Sequence, residues 1–308
     1  VTSRKALVTG AGGFVGTRLV AAFREAGWDV AAAGRTGAHA LDVTDAAAVR
    51  RVVEETRPDV VVNLAAIAHR KRERITPEEY DAVNHRGVRH LLDASLAAGV
   101  QRFVQFSSAS VYGEEGRRAP VREDDERRPV GAYARSKADA EDACLEADGG
   151  EMAVSVLRLP AIYAPGWVLD VRKRAYVPGM GGRLLLEVDG PRHSLCALEH
   201  AVEFARLAAE GRAAGVFNVA DAEPYPQPEI VRVIGALDGI DRRIRLPGGM
   251  AGVPLAAARL VPGAIGRQVR SHGWKLLRGL VLDTSRAAAA GFAPRRRLDD
   301  LLRDTGVA

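Results

Sequence analysis

The sequence predicts a doubly wound α/β fold, a parallel sheet with helices on both faces. Three observations carry this. Short β-branched runs alternate with helical segments of roughly 10–20 residues. The runs are apolar almost throughout, as strands buried on both faces are. A glycine-rich loop joins the first run to the first helix.

Lys5-Ala-Leu-Val-Thr9 is the first strand, and the spacing of Val15, Leu19, Val20 and Phe23 predicts a helix from Val15 to Ala26, ended by Gly27. Asp29-Val-Ala-Ala-Ala33 follows as a strand. Asp45 to Thr56 reads as helix, with Asp45 or Thr44 as N-cap. Asp59-Val-Val-Val-Asn-Leu64 is a strand, Pro77 to Ala98 one long helix, and Arg102-Phe-Val-Gln-Phe106 the next strand. A helix from Tyr133 to Ala147 and the strand Ala153-Val-Ser-Val-Leu-Arg158 complete this half. Beyond about residue 165, glycine and proline cluster at Pro165-Gly166, Pro178–Gly182, Pro224–Pro228 and Leu246–Pro262. One helix, Leu198 to Gly211, and one strand, Val216-Phe-Asn-Val-Ala220, stand among them. Residues 1–164 are therefore expected to form a dinucleotide-binding domain, with 194–221 returning to it. Residues 165–193 and 222–308 are expected to form a smaller, irregular substrate domain.

Hydrophobic residues at 47% and charged residues at 27% exclude disorder, collagen-like repeats and a coiled coil. No run approaches the roughly 18 apolar residues of a membrane span, so no membrane association is expected. The first residues pass directly into a strand, which leaves no room for a signal peptide. Cys144 and Cys196 are too few for a disulfide framework or a zinc cluster. No metal site is expected, and the expected location is a reducing cytoplasm. The net charge of +5 is almost all arginine, since only five of the 44 cationic residues are lysine. With the abundance of alanine, this points to coding bias. The densest basic run, His69-Arg-Lys-Arg-Glu-Arg74, is followed by Glu78, Glu79 and Asp81 and has no interleaved aromatics, so no nucleic-acid partner is expected.

The loop Thr9-Gly10-Ala-Gly-Gly13-Phe-Val-Gly16 lies between strand and helix, the context in which it signals a Rossmann-type site. Gly10 permits the tight turn, Gly13 lets the backbone approach a pyrophosphate, and Gly16 lets helix and strand pack closely. The anion then sits on the helix N-terminus. The second strand ends in Ala33-Gly34-Arg35-Thr36, without the carboxylate that would hold an NAD ribose. Arg35 suits a 2′-phosphate, which favours NADP, with NAD as the alternative because any surface position here is often arginine. Tyr133-Ala-Arg-Ser-Lys137 puts a phenol and an ammonium one helical turn apart. A nearby ammonium favours the phenolate and makes the tyrosine usable for proton transfer. Ser107, Ser108 and Ser110 follow a strand, so their hydroxyls emerge at the carboxyl edge where such sheets bind ligands.

Taken together, Thr9–Gly16, Asn63-Leu-Ala-Ala66, Ser107-Ser-Ala-Ser-Val-Tyr-Gly113, Tyr133–Lys137 and Arg158-Leu-Pro-Ala-Ile-Tyr-Ala-Pro-Gly166 resemble the extended short-chain dehydrogenases/reductases, the epimerase/dehydratase group. They stand in the family order across the first 165 or so residues. Arg192–Ala201 and Phe217-Asn-Val-Ala220 resemble its later segments. The resemblance implies Tyr133 as general acid/base and Lys137 as the group that tunes it and holds the nicotinamide ribose. It implies Ser108 as partner of the reacting oxygen, with Ser107 and Ser110 as rivals. Asp42 and Val43 would reach the adenine, and Leu64, Ala65 and Ala66 would lie along the cofactor, with Phe14, Val15 and Pro160 also on its surface. Arg192 would contact a substrate diphosphate or be one more surface arginine. His69 would line the sugar pocket or be an idle loop residue.

Ala164 replaces the family's usual glycine after Tyr163, and the asparagine common after Pro165-Gly166 is missing, which leaves the substrate open. Ala109 and Ser110 stand where sugar 4,6-dehydratases carry an acidic pair, against dehydration. The chain is most similar to nucleotide-sugar 4-ketoreductases such as the dTDP-4-dehydrorhamnose reductases. The resemblance therefore implies NADPH-dependent reduction of a nucleotide-linked 4-keto-6-deoxy sugar, in a homodimer if the two long helices pair. The alternatives are a nucleotide-sugar 4-epimerase with tightly bound NAD and a non-catalytic NADP-binding sensor or scaffold.

Overall fold

The computed structural model describes residues 4–68, 75–113, 120–177, 180–247, 273 and 276–307. In chain order its strands are β1 (Lys5–Thr9), β2 (Asp29–Gly34), β3 (His39–Ala40), β4 (Val60–Asn63), β5 (Arg102–Ser108), β6 (Ala153–Leu159), β7 (Ala161–Tyr163), β8 (Leu185–Val188), β9 (Arg192–His193), β10 (Leu195–Ala197), β11 (Gly215–Asn218), β12 (Tyr225–Pro226) and β13 (Arg243–Leu246). The helices that concern the site are α1 (Phe14–Glu25), α2 (Ala46–Thr56), α3 (Pro77–Asp81), α4 (Gly87–Ala97), α5 (Gly131–Ala147), α6 (Leu169–Arg172), α7 (Leu198–Ala209) and α8 (Gln227–Asp238).

Seven strands form one parallel sheet in the order β11-β6-β5-β4-β1-β2-β3. Alternate side chains of the same strand enter different cores, which is why these runs are apolar throughout. Ala6, Val8, Val60, Val62, Val104 and Leu157 pack with α1 and α7. Leu7, Val61, Phe103, Val154 and Val156 pack with α2, α4 and α5. Asp45 is the N-cap of α2, accepting from the backbone N–H groups of Ala47 and Ala48. Among the described residues no helix is long and apolar enough to cross a membrane.

Two elements differ from the sequence expectation. The segment expected as one helix from Pro77 to Ala98 is broken by a π-helical turn, Ala82–Arg86, between α3 and α4. Buried Asn84 sits in that turn, and its amide is spent on groups outside the helix. The proline cluster at Pro224–Pro228 opens a helix, α8. Prolines at a helix start lose nothing, because those N–H groups have no intrahelical partner. Ile230, Val231, Val233 and Ile234 bury the inner face of α8.

The depth of α5 against the sheet is set by a buried ion pair. Glu141 is fully buried and accepts from Arg158 Nε (3.0 and 3.1 Å) and Nη2 (2.7 Å). It also accepts from the Ser107 hydroxyl and from Arg127 Nη1 (3.3 Å). Arg158 Nη1 donates to Tyr112 Oη and to the Glu123 carbonyl, each at 2.8 Å. Arg158→Met strands a buried carboxylate and is expected to cost about 3–5 kcal/mol of unfolding free energy in urea. A loss below about 1 kcal/mol would show that the pair does not hold α5.

Candidate functional site

Backbone contacts shape the loop between β1 and α1. Gly10 has φ +65°, and a Cβ there would lie 2.7 Å from the Leu64 carbonyl carbon and 2.8 Å from Ala65 N. A Cβ on Gly16 would lie 2.3 Å from the Gly10 oxygen. The loop is thereby pressed against both α1 and the segment after β4. Gly13 is the N-cap of α1, with no side-chain cap and no acid in the first turn, so the Phe14, Val15 and Gly16 N–H groups are left for an anion. Gly12 faces open space. These features fit a dinucleotide pyrophosphate.

Arg35 is exposed just after β2, close enough to Asp42 to help lower its carboxyl below the usual range. The larger cause there is hydrogen bonding from Thr44, whose N–H and hydroxyl donate at 2.9 and 2.8 Å. Val43 is buried against Gly87 at the start of α4. Leu64 and Ala65 are partly buried and Ala66 is exposed beside the glycine loop, and partly buried Pro160 follows β6.

A polar row crosses the sheet beneath these segments. The Thr9 hydroxyl donates to Asn63 Oδ1 (2.5 Å), Asn63 Nδ2 to Gln105 Oε1 (2.8 Å) and Gln105 Nε2 to the Phe106 carbonyl (3.0 Å). Lys137 Nζ donates to the same carbonyl at 2.9 Å. Lys137 is therefore tied, through three strands, to the loop that opens at Gly10. Asn63 and Gln105 carried no assigned role in the sequence, although a polar residue inside a β-branched run was a visible signal.

The three serines after β5 go different ways. The Ser108 hydroxyl lies near enough to the Tyr133 phenol to favour its ionised form, and it caps the 3-10 turn Ala109–Tyr112, accepting from Ser110 N at 3.2 Å. Ser107 donates to Glu141, and Ser110 Oγ is buried without a partner among the described residues. The ring of Tyr80 on α3 meets that of Tyr133 edge-on at 5.9 Å. Asn84, which sequence reasoning missed, accepts from Ile67 N (2.7 Å) and donates to Ile67 O (3.0 Å) and to Ser136 Oγ (3.1 Å). Ser136 in turn donates to the Tyr133 carbonyl. The π turn thus holds the segment after β4 against the turn of α5 that carries Tyr133.

The sequence expectation that an ammonium would lower the phenol's pKa is overturned by burial. Desolvation pushes Tyr133 up to about 12, with Asp170 and Tyr80 adding to the rise and the Ser108 hydrogen bond opposing it. Desolvation likewise brings Lys137 down to about 8, against the attraction of Glu141. Both groups are held towards their neutral forms.

Arg192, expected at a substrate diphosphate, is exposed on β9, and its Nη2 donates to the Pro224 carbonyl at 2.8 Å. Its neighbour His193 is the buried one. His69 lies outside the described residues. A residue that was not anticipated, Trp167, stacks on Phe14 at 4.3 Å and 13°, so the turn after β7 covers the first residue of α1. Among the described residues no group of His, Cys, Asp and Glu side chains is placed to hold a metal.

Comparison with known proteins adds to this geometry. The profile of the "NAD dependent epimerase/dehydratase family" matches residues 6–185. The methionine adenosyltransferase 2 subunit beta of Xenopus laevis is 33% identical over 167 residues, 53% of this chain and 48% of that protein. The dTDP-4-dehydrorhamnose reductase of Streptomyces griseus is 42% identical over 140 residues, 46% of this chain and 44% of that protein. The chain thus spans about half the length of these relatives. A 3-diazoavenalumate denitrifying reductase from a Streptomyces species is 31% identical over 256 residues, 75% of this chain and 82% of that protein. Among solved structures, a short-chain dehydrogenase/reductase superfamily protein from Agrobacterium tumefaciens with bound NAD superposes with a TM-score of 0.77 at 22% identity, covering 98% of this chain and 95% of that one.

The lowered pKa of Lys137 sets a stability test. Between about 8 and its ordinary value of 10.5 the unfolded chain keeps a proton that the folded protein has released. Stability therefore rises with pH across that window. Relative to Lys137→Met, the wild-type urea midpoint should climb from pH 8 to pH 10, and the contribution of Tyr133 cancels in the difference. A flat difference would mean that the lysine is not desolvated.

Proposed function

The chain belongs to the NAD dependent epimerase/dehydratase family, and from that premise we propose that it is an NADPH-dependent reductase of a nucleotide-linked 4-keto-6-deoxy sugar. The observation that carries this reading is the state of Tyr133. A phenol pushed up to about 12 by burial holds its proton more firmly than a free tyrosine and is a poorer acceptor, which favours the donor role that reduction of a ketone asks of it. Epimerisation begins by oxidising a hydroxyl, which asks the same group to accept a proton. The identity to a dTDP-4-dehydrorhamnose reductase and to a second reductase supports the same direction.

A bound reduced nicotinamide supplies the hydride. Tyr133 gives its proton to the carbonyl oxygen, and Ser108, placed beside the phenol, orients that oxygen. Lys137, anchored on the Phe106 carbonyl, keeps its remaining N–H donors for the phenol and for a ribose. The unpaired N–H groups of α1 would hold the pyrophosphate, and Arg35 would meet the 2′-phosphate. Positioning and polarisation in this setting supply most of the rate.

The sensor or scaffold reading has one specific support, the identity to a protein named as a subunit of a transferase. It gives no reason for Ser108, Tyr133 and Lys137 to occur together. Tyr133→Phe should lower kcat with NADPH and a dTDP-4-keto-6-deoxy sugar by about 10²–10⁴-fold and leave cofactor binding intact. Persistence of turnover would remove Tyr133 from the reaction. Arg35→Ser should weaken NADPH about tenfold or more and NADH hardly at all, measured as Kd for each dinucleotide. Denaturing the purified protein and identifying the released dinucleotide separates the readings. NADP or an empty protein accords with the reductase, whereas near-stoichiometric NAD would identify the epimerase.

A further inference from the structure

Trp167, just beyond β7, is a large aromatic residue left 40% exposed, yet the turn that carries it is closely built. Ala164 and Trp167 exchange both backbone hydrogen bonds across Pro165-Gly166, at 3.0 and 2.8 Å. Pro165 fixes the first central residue, and Gly166 at φ +74° supplies the positive φ of the second, the pair a type II turn requires. Ala164 and Val168, on either side, are buried. The indole is therefore presented at a fixed place. The asparagine common in the resembled family at this point is missing, and Trp167 stands there instead.

What the indole meets is Phe14. The two rings lie within 13° of parallel with centroids 4.3 Å apart, and Phe14 packs in turn on the core beneath α1. Phe14 is also the first residue of α1, so its N–H is one of those left open for a pyrophosphate. A phosphate oxygen taken up there is separated from the indole by no more than one phenylalanine side chain. The same residue thus offers its backbone to the anion and its ring to Trp167. Nothing else described ties the first turn of α1 to the β7 turn by an aromatic contact.

We propose that the Phe14–Trp167 stack is a latch on the dinucleotide: Trp167 is a positioning residue that holds the first turn of α1 in its anion-binding arrangement and so governs how slowly the cofactor leaves. Release requires the α1 N–H groups to let go of the pyrophosphate. The stack restrains the residue that carries the first of them, and a site held in its bound form spends less on ordering. Differences of affinity within one site fall mostly on dissociation. An aromatic pair of this geometry is worth roughly 2–12-fold in an equilibrium constant, so its loss is read as severalfold faster release. This rests on the reading of the glycine loop as a dinucleotide site and not on the identity of the sugar.

The test is stopped-flow release of NADPH from the purified full chain, chased with excess NADP and followed by nicotinamide fluorescence, then repeated with NADH and NAD. Trp167→Ala should release the dinucleotide about 3–10-fold faster while its association rate constant stays within about twofold of wild type. Trp167→Phe restores a stacking ring and should release within about twofold of wild type. Phe14→Leu should match Trp167→Ala, and the double variant should be no faster than either, since both remove one contact. Release from Trp167→Ala at the wild-type rate, additive effects in the double variant, or a change confined to association would overturn the proposal. A wild type that binds neither dinucleotide would refute the cofactor reading, whereas bound dinucleotide with unchanged release refutes the latch alone. No sugar enters the measurement, so the outcome is independent of the turnover of Tyr133→Phe.

Discussion

The site hangs on one buried ion pair. Glu141 lies one turn beyond Lys137 and two beyond Tyr133 on α5, so the carboxylate that Arg158 grips shares a helix face with both. Burying two charges is costly, and such a pair holds only when its remaining hydrogen-bonding capacity is filled. Here it is: Ser107 and Arg127 also serve Glu141, and Tyr112 and the Glu123 carbonyl serve Arg158. The network extends outward, since Tyr112 donates to Asn218 Oδ1 and Asn218 N donates to Glu123. β6, α5, the Ser108 turn and the outer strand β11 are thus referred to one point. A pair this directional fixes rotation and depth, where an apolar contact would tolerate sliding.

A second constraint couples the two chemical halves. The row from Thr9 through Asn63 and Gln105 to the Phe106 carbonyl runs across neighbouring strands in register, and Lys137 closes it. The backbone of Ala65 joins it, donating to Asn63 Oδ1 at 3.1 Å. Gly10 abuts that same segment. The loop that would cradle the pyrophosphate and the lysine beside the phenol are therefore positioned by one set of hydrogen bonds, so their spacing does not depend on side-chain packing alone. On the far side, Asn84 and the Phe14–Trp167 stack add links of the same kind.

What was legible in the sequence is what depends on spacing along the chain. Strands buried on both faces are apolar runs, a glycine loop announces itself by position, and Tyr133 and Lys137 are one turn apart whatever surrounds them. What was hidden depends on contacts across the chain. Asn84 looks like any polar residue in a helix until the segment it bonds, seventeen residues earlier, is in place. Pro226 and Pro228 read as breakers because only the following apolar residues show that a helix starts there. The phase of a two-residue strand such as β9 cannot be read from alternation, so Arg192 and His193 were exchangeable in sequence and are opposite in structure. The one-turn spacing of the ammonium was visible, whereas the burial that raises the phenol was not.

Burial bears on which way a proton would move at Tyr133 in the proposed reaction. Were Lys137 exposed and charged beside the phenol, Tyr133 would be drawn towards the phenolate and suited to taking a proton. Desolvation acts on both groups at once and favours the uncharged form of each, raising Tyr133 and lowering Lys137. The ammonium spends one donor on the Phe106 carbonyl, and the largest charge effect on it comes from Glu141. The phenol's own neighbours, Asp170 and Tyr80, make a negative charge there still less favourable, and only the Ser108 hydrogen bond opposes them. A group in that environment keeps its proton until a more basic oxygen is placed against it. The oxygen of a carbonyl under hydride attack becomes such a base, and that is the support this environment lends to the proposed reduction.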